Sequence, residues 1–383
     1  NWPPTNPYHA PRTIAVFGTR TQRVDRHRLT LLYLLDAWFP QALEELPLAK
    51  FARVTGWGMY VPPKVMTNQD LEQMIDTSDA WIRRRTGIRE RRIAGDNETA
   101  SSMAVTAGKM ALEGAHIDPS TLDLGIAATV TPDQIFPACA SLVQHALGAK
   151  KASAFDLNAA CSGFVYALAV ATQFISAGTF QRVLVVGSEV YSRILDWKDR
   201  STCVLFGDGA GAVVVEACDS PPATLGLILG SDGSKADILY VPGPCGPRHP
   251  TPNGRYYLNM NGQEVFRFAV TTMVEATRQV VAAAGLPLSD IELIIPHQAN
   301  RRIFQAAARS LGLPPSRIFV NVERYGNTSA ASIPIALCEA VAQGRLNEGD
   351  HVVLVGFGGG LSWGALVMEW AAPGRAVPAE GRA

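Results

Sequence analysis

From residue 51 onward the chain alternates short, almost wholly apolar runs with longer helical stretches. Phe51–Trp57, Leu124–Thr129, Arg182–Gly187, Gly211–Glu216, Leu225–Gly230, Glu292–Ile295 and His351–Phe357 are predicted strands. Ser101–Ala115, Cys161–Ala177, Val265–Ala284 and Ser329–Ala342 are predicted helices between them. Strands that are apolar without alternation belong in sheets covered on both faces, so the pattern specifies an α/β protein.

The pattern also repeats. The first half carries AACSGFVYALAVATQFISAG, QRVLVVGSEV and FGDGAGAVVVEA; the second carries GNTSAASIPIALCEAVAQG, DHVVLVGFGGG and LSWGALVMEW. Each set reads as a helix opened by small residues, a buried strand, and a glycine-rich turn into another strand. A duplication predicts two α/β halves, 51–222 and 223–372, with a tail at 373–383. The small-residue helices then lie between two sheets, and their starts near Cys161 and Thr328 face one central site. Chance likeness between generic α/β segments is the competing account.

Two glycine-rich segments invite a nucleotide-binding reading. Gly207 to Ala212 loosely matches the dinucleotide fingerprint, which needs a helix after its glycines to hold pyrophosphate. Here AVVVEA follows, and consecutive valines favour a strand. Gly356 to Gly360 is likewise followed by a strand-like run, so both are read as turns between strands.

Residues 1–50 differ in character, with Pro3, Pro4, Pro7 and Pro11, scattered arginines and the apolar stretch Leu29–Leu43. They lack serine and contain Glu44 and Glu45, which fits a transit peptide poorly. A short helix around Leu31–Leu46, broken at Pro40, is predicted there without an assigned role.

Composition narrows the function. With 383 residues, 47% hydrophobic, the chain can bury a large core. Lys+Arg and Asp+Glu both number 34, which disfavours general nucleic-acid binding but permits a local basic patch. The six cysteines form no CxxC pair, and no His/Cys cluster has zinc spacing. The absence of a run of about 20 apolar residues and of a signal-peptide pattern leads to the expectation of a cytoplasmic protein with free thiols.

Three residues stand out chemically. Cys161, in NAACSGF, falls between a strand-like AFDL and an apolar helix, where a helix start lowers a thiol pKa. The same cysteine could equally be a buried core thiol, the reading given to Cys139, Cys203, Cys218, Cys245 and Cys338. His297 follows the apolar ELIIP at the carboxyl edge of a predicted strand, where α/β folds bind ligands; a structural histidine is the alternative. Asn327, in YGNTSA, precedes the second small-residue helix and could be only its cap. Their joint placement at strand-to-helix junctions of two related halves favours a shared site.

From Phe51 to Trp370, about five-sixths of its length, the chain resembles the β-ketoacyl-acyl-carrier-protein synthase III family, through TSDAWIRRRTGIRERR, NAACSGF, FGDGAGA, PHQANRRI, GNTSAAS and GFGGGLSWG. The resemblance implies the thiolase-like fold, with duplicated halves in a five-layer α/β/α/β/α architecture, and a homodimer. It implies condensation of an acyl-CoA primer with malonyl-acyl carrier protein, with no bound cofactor. Cys161 carries the acyl group, His297 and Asn327 stabilise the enolate formed on decarboxylation, and the Cys161 and Gly359 amides form the oxyanion hole.

Position by position, the resemblance assigns Trp81, Arg85 and Arg200 to the CoA nucleotide, and Gly262, Phe266 and Asn300 to the pantetheine arm. It assigns Arg302, Arg267 and Arg309 to carrier-protein docking, although these arginines taken alone read as solvated helix faces. Phe136 corresponds to a residue reaching into the partner subunit's acyl pocket, and Phe357 lies beside the nucleophile. Tyr191 falls near positions that shape that pocket, which bears on primer size. Condensing enzymes of secondary metabolism keep the same Cys-His-Asn set and are the alternative. A non-catalytic docking protein on this fold is a further one.

Overall fold

The computed structural model describes residues 51–219, 224–246 and 256–371. The predicted helix at Leu31–Leu46, the rest of residues 1–50 and the tail 373–383 lie outside the described residues.

Two sheets organise the described chain. The first has five strands in the order Phe51–Tyr60, Asp208–Cys218, Arg182–Val190, Leu124–Ala128, Ser153–Leu157. The second has four, in the order Ile291–Pro296, His351–Gly358, Ser362–Glu369, Thr224–Ser231. Each contains a parallel pair that continues into two antiparallel pairings: Leu124–Ala128 with Arg182–Val190 in the first, Ile291–Pro296 with His351–Gly358 in the second. The first has a second parallel pair, between Leu124–Ala128 and Ser153–Leu157. The fifth strand of the first sheet has its counterpart in a single parallel bridge between Ile294 and Ile318. The duplicated halves are therefore visible in strand order.

Helices Gly163–Ser176 and Ser332–Ala342 run between the sheets and touch both. Ala100–Ala115 and Cys139–Leu147 cover the outer face of the first sheet, and Gly262–Ala283, with Arg301–Leu311 against it, covers the second. The result is the five-layer α/β/α/β/α thiolase-like arrangement. The central helices are apolar on nearly all sides, as a helix sandwiched between sheets must be. Phe164, Leu168, Ile333, Ala336 and Leu337 join Val185, Val213, Leu293 and Leu354 from the two sheets in one buried cluster.

Every strand and helix predicted from residue 51 onward is present, with ends moved by a few residues. The glycine segments lead into strands: Asp208–Cys218 contains Gly209 and Gly211, and Ser362–Glu369 follows Gly360. Both central helices begin later than predicted, because the short 3-10 turns Ala160–Ser162 and Ser329–Ala331 precede them. Sheet and helix approach closely where side chains are missing. A Cβ on Gly187 would stand 2.3 Å from the Ala330 carbonyl oxygen, and only glycine lets the strand pass the Ser329 turn at this distance.

Candidate active site

The turn before each central helix is sharp. Ala160 and Ser329, neither a glycine, have left-handed φ of 44° and 48°, a conformation that costs roughly 1–2 kcal/mol. Through these turns Cys161 and Ser329 face one another, and the Ser329 hydroxyl donates to Cys161 Sγ at 3.4 Å. His297 follows the strand Ile291–Pro296, its amide held by the Val355 carbonyl at 2.8 Å. Asn327 is held through its amide by Leu205 O and through its carbonyl by Gly207 N. Cys161, His297, Asn327, Tyr191, Phe357 and Gly359 line one cavity of about 950 Å³.

Hydrogen bonds fix the orientation of the two polar partners. Asn327 Oδ1 accepts from Ser329 N at 2.8 Å, so its amide nitrogen is turned to the other side as a donor. The Ser332 hydroxyl gives its single proton to the Ser329 carbonyl at 2.7 Å. Its oxygen then accepts from the Gln298 amide at 3.2 Å and from His297 Nδ1–H at 2.7 Å. The network assigns the imidazole proton to Nδ1 and leaves Nε2 as an acceptor in the resting site. Complete burial depresses the His297 pKa to about 3, so the ring is neutral. Phe357 meets it edge-on, with ring centroids 5.5 Å apart.

The thiol differs from expectation. Burial pushes Cys161 up to about 11, assisted by the Glu189 carboxylate, while Ser329, the Gly359 amide and Tyr191 pull it down. Desolvation outweighs the lowering expected of a helix start, and the resting group is the thiol. Cys203 and Cys338 are pushed up to about 11 and 12 chiefly by burial, Cys139 higher still for the same reason, and all three are buried. Cys218 is half-buried and Cys245 exposed.

Trp81, Arg85, Gly262, Phe266 and Asn300 line the same cavity. Arg85 and Arg200 lie over the Trp81 ring, 6.0 and 5.0 Å from its centroid. Arg200 also donates to the Asp76 carbonyl at 2.8 Å and does not itself line the cavity. Asn300 is already engaged: it caps Arg301–Leu311 through the Arg302 amide and donates to the Arg85 carbonyl. Its side chain therefore ties the start of that helix to the Arg85 backbone while lining the cavity. Arg302 stacks on Phe266 at 5.3 Å, and Arg267 and Arg309 are exposed on their helices. Phe136 stands apart, 83% exposed beside Ile135.

Sequence reasoning missed two groups. Ser329 and Ser332 sat inside a quoted motif, but short hydroxyl residues at a helix start read as caps. Arg83, Arg84, Arg89 and Arg301 surround, with the already assigned Arg302, a second, polar cavity of about 190 Å³. Their run in the sequence reads as a solvated face; only the fold brings Arg301 and Arg302 against it.

A profile of 3-oxoacyl-[acyl-carrier-protein] synthase III matches residues 155–233, and that of its C-terminal region matches 281–370. The β-ketoacyl-[acyl-carrier-protein] synthase III of Roseiflexus castenholzii is 52% identical over 330 residues, 85% of this chain and 100% of its own. The chain belongs to the β-ketoacyl-[acyl-carrier-protein] synthase III family. It is an acyltransferase of the condensing type. The Thermus thermophilus member, 49% identical, superposes with a TM-score of 0.79 over 84% of this chain and 99% of its own. The priming β-ketosynthase of the R1128 polyketide pathway, 38% identical, does so at 0.82 over 86% and 99%. Among the described residues no helix is long and apolar enough to cross a membrane.

Proposed function

We propose that this chain starts fatty-acid synthesis by condensing a short acyl-CoA with malonyl-acyl carrier protein, releasing CoA and carbon dioxide, with Cys161 as nucleophile. The observation that carries this reading is the convergence of Cys161, the Nε2 acceptor of His297 and the amide donor of Asn327 on one cavity with Trp81 and Arg85 at its lining. The higher identity to synthases III, 52% against 38% for the polyketide priming enzyme, favours the primary pathway.

In the first half-reaction Cys161 attacks the acyl-CoA carbonyl and its proton passes to His297 Nε2. The CoA sulfur leaves as thiolate and takes a proton from solvent. Amides of Cys161 and Gly359 hold the tetrahedral oxyanion. The imidazolium, costly in this dry site, is held first against the oxyanion and then against the malonyl carboxylate, and it keeps the Nε2 proton into the second half. In the second half, malonyl thioester loses carbon dioxide, and its oxygen receives hydrogen bonds from His297 Nε2–H and the Asn327 amide. The carbanion attacks the acyl-Cys161 thioester. The expelled Cys161 sulfur recovers its proton from His297, and the cycle consumes one solvent proton, that on CoA. No cofactor takes part.

Trp81, with Arg85 and Arg200 over its ring, binds the CoA nucleotide; Gly262, Phe266 and Asn300 flank the pantetheine. Arg302, Arg267 and Arg309 receive the acidic carrier protein. Ile135 and Phe136, exposed side by side, enter a second copy in a homodimer, where Phe136 bounds the partner's acyl pocket. The two halves are residues 51–222 and 223–372, and the enzyme works in the cytoplasm.

The test is intact-protein mass spectrometry after mixing with acetyl-CoA, isobutyryl-CoA and a longer acyl-CoA in competition. A mass gain lost in Cys161→Ala supports the covalent step, and its size identifies the primer. An unimpaired condensation rate in Cys161→Ala overturns the reading.

A further inference from the structure

The proposed chemistry leaves one buried hydroxyl beside the nucleophile unused. Tyr191 is 4% exposed, and its ring is stacked on Phe206 with centroids 4.7 Å apart and planes 8° from parallel. This packing fixes where its hydroxyl ends: 3.2 Å from Ser329 Oγ, to which it donates. Ser329 in turn donates to Cys161 Sγ at 3.4 Å. A serine hydroxyl has one proton and can accept two hydrogen bonds. With Tyr191 satisfying the oxygen, the Ser329 proton points to the sulfur, with the Glu189 carboxylate as its other acceptor.

We infer that Tyr191 and Ser329 form a donor chain that stabilises the Cys161 thiolate, making Tyr191 a positioning residue for the nucleophile as well as a wall of the acyl pocket. The inference rests on the reading of Cys161 as nucleophile. Two donors then converge on the sulfur, the Ser329 hydroxyl backed by Tyr191 and the Gly359 amide, which also lowers the thiol pKa. Hydrogen bonds to an anion in a water-poor site are stronger than those between neutral groups. Burial and the neighbouring Cys161 and Glu189 keep the Tyr191 pKa well above its ordinary value, so the phenol retains its proton when the thiolate forms.

The other titratable groups around Cys161 are the Glu189 carboxyl, from the strand Arg182–Val190, and His297. Glu189 is held by Thr131 Oγ1 at 2.7 Å and the Val130 amide at 3.1 Å, and also by Ser329 and the Ala330 amide. It competes with the sulfur for the Ser329 proton, and its charge opposes the thiolate. Tyr191→Phe leaves both groups in place and keeps the stacked ring, so it isolates the hydroxyl.

The experiment is the rate of Cys161 alkylation by iodoacetamide as a function of pH, in the full chain, with the modified site verified by mass spectrometry. Tyr191→Phe is expected to move the midpoint up by about one pH unit and slow alkylation at pH 7 about tenfold. Ser329→Ala should move it at least as far, and the double variant no further than Ser329→Ala alone, because the two act in series. A Tyr191→Phe profile that overlies the wild type, even with a changed primer preference, reduces Tyr191 to a wall and overturns the inference. Failure of the wild type to take an acyl group from any acyl-CoA sinks the parent reading instead, while the alkylation profile still reports on the donor chain. Thermal melts of both variants verify that they fold.

Discussion

The Ser332 hydroxyl sits 2.7 Å from His297 Nδ1, with its own proton committed to the Ser329 carbonyl. One side chain therefore sets the tautomer of the imidazole and ties it to the turn that carries Ser329, itself within reach of Cys161. The parts of the site contributed by the two halves are coupled by hydroxyl groups, each with a single proton to give.

Ser332→Ala removes the acceptor at Nδ1 while preserving the helix. Condensation is expected to fall at least tenfold, through kcat more than through KM for malonyl-acyl carrier protein. Steady-state kinetics decide it, and an unchanged kcat would contradict the tautomer assignment.

Asn327→Ala separates the half-reactions. Acylation of Cys161 should proceed near the wild-type rate, because the Asn327 amide is used only on the malonyl oxygen. Decarboxylation should drop roughly a hundred- to thousandfold, the usual loss for one oxyanion donor. His297→Ala should slow both steps, since its Nε2 also accepts the thiol proton. Single-turnover measurements with labelled acyl-CoA and labelled malonyl-carrier protein distinguish these cases.

Reversing charge at Arg302 tests the proposed docking patch. Arg302→Glu, beside Arg83, Arg84, Arg89 and Arg301 around the polar cavity, should raise KM for malonyl-acyl carrier protein about tenfold at low salt. Acylation from CoA should be affected much less. Equal losses on both substrates would argue against carrier docking there.

Gly358→Ala reports on the closeness of the two halves. The new Cβ would stand 2.6 Å from Cys161 Cβ and 2.9 Å from Sγ, so something must shift. A stability loss of about 1–3 kcal/mol in urea melts is expected, with acyl-enzyme formation abolished. Wild-type acylation in this variant would mean that the turn is not held against the nucleophile.

Acid stability follows from two buried groups of opposite sign. Burial lowers His297 from 6.5 to about 3, so the unfolded chain binds a proton there before the folded one, and stability is lost as pH falls from 6.5 toward 3. Burial raises Glu189 from 4.5 to about 7, so its contribution is full below 4.5 and is lost as pH rises through 7. Between these limits the slopes oppose; below about 4.5 only that of His297 remains. The stability difference between wild type and His297→Gln should fall by about 1.4 kcal/mol per unit between pH 6 and 4. A pH-independent difference in urea melts would show that His297 is not held neutral.

Much of this protein was legible along the chain. Apolar runs bounded by glycine fixed the strands, because a strand covered on both faces tolerates few polar residues, and the repeat of small-residue helix starts announced two halves meeting at Cys161 and Thr328. Local patterns carry such information because backbone geometry and burial act over a few residues. What the tertiary structure alone decided is the protonation and orientation of the site. Cys161 is pushed up because two sheets and two helices exclude water around it, although its helix start taken alone predicts the reverse. The imidazole proton of His297 is assigned by Ser332, 35 residues away, and the Ser329 proton by Tyr191, 138 residues away. Desolvation and single-proton hydrogen bonds depend on which groups the fold brings within about 3 Å, a distance that no spacing along the chain encodes.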